Sequence, residues 1–257
     1  MKNKPLKRFG QNYLTDKNTI LKIIKLFKHQ KYDDINEICP GRGAFTAELT
    51  TYSNNITAVE IDNRVIENLI KKFPNVNFLN MDFLKVDFSS ITTNSKFRAF
   101  GNIPFNLTSS ILFKLIENRE LFSDAILLVQ YDVAKRIISK PRTKEYGILS
   151  VVLNYFASIT LDMKIPPTVF TQRPKVDTAI INIKFDKIID KELDDKFFIS
   201  VIKASFGNRR KTLKNSLNNS IFVGYNLDDI QIDFGRRAET LSIEEFVYLA
   251  KELQKRA

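Results

Sequence analysis

At 257 residues, with 44% hydrophobic and 27% charged side chains, the chain can bury one large core, with or without a small appended domain. One cysteine (Cys39) and one histidine (His29) exclude an intrachain disulfide, a cysteine-rich zinc site and a multi-histidine metal centre, and argue against a serine–histidine–aspartate triad. Forty Lys and Arg against 29 Asp and Glu leave a net charge of +11, which suits a polyanionic partner.

Residues 1–10 are basic without an apolar signal core, and no apolar run approaches the roughly 18–20 residues that span a bilayer. The expectation is a soluble, cytoplasmic protein of a reducing compartment, with no membrane partner and no metal. The basic residues cluster. Lys2, Lys4, Lys7 and Arg8 precede the first acid, and Lys135, Arg136, Lys140, Arg142 and Lys144 lie between Asp132 and Glu145. Lys203, Arg209, Arg210, Lys211 and Lys214 fall in an acid-free stretch, 197–227. A merely solvated face mixes signs, so three one-sign clusters read as pieces of an electropositive surface.

In chain order, Ile20, Ile23, Ile24 and Phe27 repeat as one face of a helix entered near Thr15 or Asp16. Residues 35–39 read as a strand, followed by a Pro40-Gly41-Arg42-Gly43 turn and a helix to Leu49. Strands are predicted at 56–61, 76–81, 97–100 and 125–129, and helices at 65–73, 108–118 and 133–138. Strands alternating with helices imply an α/β fold with a parallel, doubly wound sheet. Past Gly147 the runs 149–156, 159–163 and 178–185 read as strands without intervening helices, so part of the sheet should turn antiparallel. Helical periods at 197–205, 209–217 and 243–253 predict a small all-helical C-terminal domain, giving a division into 1–187 and 188–257.

Four features carry chemistry. A glycine-containing turn after the first strand, Glu37-Ile-Cys-Pro-Gly-Arg-Gly43, lets a ligand lie against bare backbone, though the third glycine of the dinucleotide fingerprint is missing, with Thr46 in its position. Glu60, ending the second strand, can accept both ribose hydroxyl protons of a nucleoside cofactor, and Asp82 can accept from an adenine amine. These three fit NAD and S-adenosylmethionine alike. The fourth separates them: Asn102-Ile103-Pro104-Phe105 follows the fourth strand and forms a holder for an exocyclic amine. An adenine N6 lone pair is delocalised into its ring. The Asn102 side-chain oxygen and the Ile103 carbonyl can accept both N6 hydrogens and draw the nitrogen toward tetrahedral geometry, while Pro104 fixes the turn and Phe105 stacks on an extruded base.

With these motifs the chain resembles the S-adenosylmethionine-dependent rRNA adenine N6-methyltransferases, and within them the KsgA (RsmA) type of small-subunit rRNA dimethyladenosine transferase. Beside the Glu37–Gly43 loop, the matching stretches are Lys7-Arg-Phe-Gly-Gln-Asn-Tyr-Leu14, Val59-Glu-Ile-Asp62, Gly101-Asn-Ile-Pro-Phe-Asn106, Tyr146-Gly-Ile-Leu-Ser150, Pro167–Asp177 and Phe206–Leu217. The resemblance implies a Rossmann-like class I methyltransferase sheet carrying the small helical domain. It implies a cofactor site of Asn12, Leu14, Cys39, Gly41, Gly43, Glu60, Ile61, Asp82, Phe83 and Asn102, with Asn102–Phe105 at the reaction centre and Phe170 as a second stacking surface. It implies RNA contacts from Lys7, Arg8, Lys135, Arg136, Arg142, Lys203, Arg209, Arg210, Lys211 and Lys214.

The expected reaction is dimethylation of two adjacent adenosines in the 3′-terminal hairpin loop of small-subunit (16S) rRNA, on an immature subunit, by a monomer. Two departures stand out: Cys39 where the family usually has Gly, and Phe105 where it usually has Tyr. Both are expected to leave the activity intact. The alternatives are the large-subunit (23S) rRNA adenine methyltransferase of antibiotic resistance, a non-catalytic ribosome assembly factor on the same fold, and an NAD oxidoreductase. The last fails for want of the third glycine and of a proton-transferring histidine.

Overall fold

Asp16 accepts the amide and hydroxyl hydrogens of Thr19 at 2.7 and 2.6 Å, which starts α1 (Lys17–Phe27) one residue later. The expected face of α1, Ile20, Ile23, Ile24 and Phe27, is buried. The computed structural model describes residues 13–28, 30–91 and 95–256. Lys7, Arg8 and Asn12 of the expected site, and His29, lie outside the described residues.

The chain divides into two units: one takes it up to Ala134 and again over Ser158–Asp186, the other takes Lys135–Ala157 and the chain from Lys187. The first unit contains β1 (Asp34–Ile38), α2 (Ala44–Leu49), β2 (Ile56–Val59), α3 (Asn63–Lys72), β3 (Asn77–Leu79), β4 (Phe97–Asn102), α4 (Thr108–Glu117) and β5 (Phe122–Gln130). Helix α5 (Tyr131–Ile137) leads out of it and α6 (Ile148–Phe156) belongs to the other unit; β6 (Ser158–Ile165) and β7 (Thr178–Lys184) return to the sheet.

The seven strands run β3-β2-β1-β4-β5-β7-β6. The first five are parallel, and β7 lies antiparallel between β5 and β6, as the loss of helical crossovers after Gly147 implied. Every residue of β1 is buried, as a central strand covered on both faces requires. Phe100 of β4 meets the rings of Phe27 and Phe45 at 5.3 and 4.9 Å, locking α1 and α2 onto one sheet face. Strand order reverses at β1, between β2 and β4, so the crevice for a ligand opens at the carboxyl ends of those three strands.

In the second unit the predicted strand 149–156 is instead the helix α6. The Ser150 hydroxyl accepts the Gly147 amide hydrogen at 3.1 Å, and Phe156 and Tyr155 pack on Phe198 of α7 (Asp195–Ser205) at 6.1 and 4.3 Å. The β-branched run favoured a strand locally, and burial of this apolar segment among helices overrode it. Residues 135–157, expected with the sheet domain, therefore cluster with the C-terminal helices. Helix α8 (Leu213–Asn218) begins four residues later than expected because Thr212 caps it, leaving residues 209–212 as a turn. A reciprocal Ser242–Glu245 cap starts α9 (Ile243–Gln254). Among the described residues no helix is long and apolar enough to cross a membrane.

Candidate active site

The turn after β1 is tight because three of its residues adopt left-handed backbone: Cys39 (φ 57°), Gly41 (φ 59°) and Gly43 (φ 76°). Gly41 lies against the Tyr13 ring, where a Cβ would come within 2.7 Å. Its amide donates to the Glu60 carboxylate at 2.9 Å, fastening the turn to the end of β2. The other Glu60 oxygen accepts from the Asp62 amide at 2.9 Å. Glu60 is thus no solvent-exposed strand end: it is 3% exposed, and burial pushes its carboxyl above the ordinary range despite those two donors.

One cavity of about 240 Å³ gathers most of the expected cofactor residues: Leu14, Cys39, Gly41, Glu60, Ile61, Asp82, Phe83 and Asn102. Asp82 accepts the Leu84 amide with one oxygen, which turns its carboxylate after β3. Asn102, the last residue of β4, enters the same cavity with Pro104, and a single 3-10 turn, Phe105–Leu107, leads from them into α4. Phe105 is half-buried on that turn and Ile103 is buried in the core. The N-terminal segment is held over the opening: Thr15 donates to the Val169 carbonyl at 3.1 Å and Thr171 to the Tyr13 carbonyl at 2.9 Å, around a bridge between Leu14 and Phe170.

Four expected residues are not part of the cavity wall: Ile103 and Phe105, on either side of Pro104, and Gly43 and Phe170. Gly43 serves packing, since a Cβ there would sit 2.6 Å from the Phe73 ring and 2.9 Å from Leu69. Phe170, 3% exposed, belongs to the core beneath Leu14. Cys39 needs its unusual φ whether or not a ligand approaches, so glycine suits this position for backbone reasons first. Burial pushes its thiol up, which disfavours the thiolate.

The cavity also has walls that motif reading missed: Tyr13, Arg42, Asn106 and the buried Glu37. Each sits next to or inside a quoted motif, so adjacency was the available signal. The Arg42 guanidinium covers the Tyr13 ring at 4.6 Å, and burial pushes the Tyr13 phenol up to about 12.

A profile of the family described as ribosomal RNA adenine dimethylase matches residues 2–255. The chain belongs to that family. Two relatives, the ribosomal RNA small subunit methyltransferases A of Francisella tularensis subsp. novicida (strain U112) and Francisella tularensis subsp. tularensis (strain WY96-3418), are each 42% identical over 259 residues, covering 98% of both chains. Among solved structures, a dimethyladenosine transferase from Plasmodium falciparum matches with a TM-score of 0.77 at 22% identity, over 94% of this chain and 97% of that one. The 23S rRNA methyltransferase ErmE matches at 0.66 and 25% identity, over 95% and 100%. The fold is the class I methyltransferase α/β sheet that the resemblance implied.

The cavity of this rRNA adenine dimethylase fits the cofactor such a sheet implies. A nucleoside needs acceptors for its ribose hydroxyls and exocyclic amine beside apolar faces for its base. Glu60 and Asp82, flanked by Ile61, Met81 and Phe83, supply that set.

In the second unit, the loop between α5 and α6 and the turn before α8 meet. Arg209 donates to the carbonyl oxygens of Lys144 and Tyr146 at 2.5 and 3.1 Å and pairs with Glu239 at 3.5 Å. The Arg142 amide donates to the Glu239 carbonyl at 2.7 Å. Two basic clusters, far apart in sequence, therefore meet in this unit at Arg142, Lys144 and Arg209; Arg136, Arg142, Lys203, Arg210, Lys211 and Lys214 are exposed and Lys135 is half-buried. Arg209, expected from sequence to contact RNA, also braces the two loops through one guanidinium nitrogen while its side chain stays half-exposed.

Proposed function

We propose that the protein dimethylates N6 of two adjacent adenosines in the 3′-terminal hairpin loop of small-subunit (16S) rRNA, using S-adenosylmethionine, as a monomer acting in the cytoplasm on an immature small subunit. The observation that carries this reading is that Asn102 and Pro104 share one cavity with Glu60 and Asp82. The curated relatives point the same way, since they are named for the small subunit.

Glu60 would hold the ribose hydroxyls and Asp82 the adenine amine of the cofactor, with Ile61 and Phe83 against its base. Leu14, with Asn12 before it, would close the site from the N-terminal side, and Cys39 and Gly41 would border its methionine end. Bound there, the cofactor supplies an electrophilic methyl group on a sulfonium. The Asn102 side-chain oxygen and the Ile103 carbonyl would accept the two N6 hydrogens of the target. This localises the nitrogen lone pair and aims it into the cavity. Pro104 holds that geometry, and the half-buried Phe105 ring would take the extruded base by stacking. The ring does so without a hydroxyl, so Phe serves as well as Tyr.

The basic surface of the second unit would grip RNA phosphates. Loop adenosines suit the extrusion because little stacking is lost.

The test is transfer of labelled methyl groups to purified ribosomal subunits from cells lacking the gene. Small subunits should accept about four methyls each and large subunits none; labelling of large subunits alone would overturn the assignment. Asn102→Ala should lower the rate by at least about a hundredfold, the scale of one lost transition-state hydrogen bond. RNA retention should be unchanged; equal loss of both would remove the separation between chemistry and binding.

A further inference from the structure

β4 and β5 pair in parallel up to Asn102 and Leu128, so Gln130 and Tyr131 follow β5 at the same carboxyl edge where Ile103–Phe105 follow β4. Each strand end leads into an aromatic ring, Phe105 on its 3-10 turn and Tyr131 at the start of α5, and both residues are half-buried. Phe105 has a role above; Tyr131 has none.

Tyr131 is fixed in two ways. Its backbone amide donates to the Asp177 carbonyl at 2.9 Å, which ties it to the segment entering β7. The ammonium of Lys164, on β6, lies 4.8 Å from the ring centroid and pairs with the Asp177 carboxylate at 2.7 Å. Asp177 therefore anchors both the main chain of the ring-bearing residue and the cation on the ring. Lys164 is 53% exposed, and an ion pair so open to water adds little stability. What the tie does is hold an aromatic ring in one orientation beside a partly solvated positive charge. Single-stranded nucleic acid is bound by that combination, with bases stacking on rings and cations meeting the adjoining phosphates.

A nucleotide extruded toward Asn102 leaves its neighbour on the strand without a stacking partner. Resting on the role given above to Asn102–Phe105, we propose that Tyr131 is the platform on which the nucleotide adjoining the target adenosine stacks, with Lys164 positioning the ring.

The test is steady-state methylation of unmodified small subunits, with KM for the subunit and kcat read separately. Tyr131→Leu fills a similar space without the ring and should raise KM about tenfold, the scale of one lost base–aromatic stack, with kcat within about twofold of the parent. Tyr131→Phe keeps the ring and should match the parent. Lys164→Met should raise KM about threefold, the scale of an exposed cation–π contact. Affinity for S-adenosylhomocysteine, which a distorted sheet edge would weaken, should be the same in all three. Subunits in which one of the paired adenosines is changed to uridine, a poorer stacker, should show a KM several-fold higher with the parent and no such penalty with Tyr131→Leu. An unchanged KM in Tyr131→Leu, equal losses in the Leu and Phe variants, a loss confined to kcat, or S-adenosylhomocysteine affinity falling in step with the rise in KM overturns the platform. So does equal use of adenosine- and uridine-bearing subunits by the parent, a comparison that needs no variant. If the parent leaves small subunits unmethylated, the proposed function fails and takes the platform with it.

Discussion

The two edges of the sheet treat charge in opposite ways. At the edge where the parallel strands begin, Arg98 of β4 is bound on every side. It donates to Asp124 of β5 at 2.8 and 2.7 Å, to Asp33 at 2.7 Å and to the carbonyls of Phe27 and Lys28 at 2.6 and 3.2 Å, with its guanidinium 4.4 Å from the Phe27 ring centroid. Asp34 beside it accepts the Ser95 amide and hydroxyl hydrogens at 2.9 and 2.7 Å. At the opposite edge, Glu37, Glu60 and Asp82 meet in one cavity, and among the described residues no cation pairs with Glu37 or Glu60. One edge satisfies its buried charges within the fold. The other holds its acids by neutral donors alone, with Gly41 and Asp62 amides on Glu60, the Thr46 hydroxyl on Glu37 and the Leu84 amide on Asp82, and burial raises the carboxyls of Glu37 and Glu60.

The sharpest way to break this contrast is to remove Arg98. Arg98→Met would leave Asp124 and Asp33 uncompensated in a partly buried site and should lower unfolding free energy by about 3 kcal/mol in denaturant titration. A loss below about 1 kcal/mol would mean the paired edge is no more than ordinary surface electrostatics.

Glu37→Gln should act in the opposite direction and depend on pH. The folded-state pKa of Glu37 is raised, so its contribution to stability is present below the unfolded value near 4.5 and is lost as pH rises through about 8. Relative to the parent, Glu37→Gln should therefore gain stability steadily between about pH 5 and pH 8. Parallel melting-temperature curves across that range would show that burial does not strain this acid.

A smaller effect is expected at the turn. Cys39→Gly should raise unfolding free energy by about 1 kcal/mol by relieving a side chain held in left-handed backbone, offset in part by the freer unfolded chain. Destabilisation would mean that the thiol's packing outweighs the backbone strain.

The smallest change, in stability at least, concerns the second unit. Replacing Arg210, Lys211 and Lys214 together by Ala should leave the melting temperature unaltered and reduce the slope of log affinity against log salt by about two, at roughly 0.7–0.9 per phosphate contact. Arg209→Ala should do the reverse, loosening the loop it braces, seen as faster amide exchange over 140–147. An unchanged slope in the triple variant would remove the RNA role of that surface.

Much of this was legible locally. The apolar spacing of α1, the alternation of strands and helices, and the carboxylates at strand ends all follow from residue order. They are what brought Glu60, Asp82 and Asn102 into view. What residue order hid lies where neighbours in space outweigh neighbours in sequence. Residues 149–156 carry a strand-like run yet form α6, because aromatic partners on α7 bury it as a helix. Phe170 is an aromatic in a motif loop, and only packing shows that its ring belongs to the core. Arg209 looks like its basic neighbours until the carbonyls it bridges are seen.

Sequence alone therefore determined the fold class, the family and the acidic and amide groups that chemistry needs, since these depend on residue identity and on short-range periodicity. Tertiary structure alone decided which of those groups share a cavity, which acids meet neutral donors instead of cations and which arginine braces a loop. Burial and charge pairing are properties of the surroundings of a side chain, and those surroundings are assembled from segments far apart in the chain.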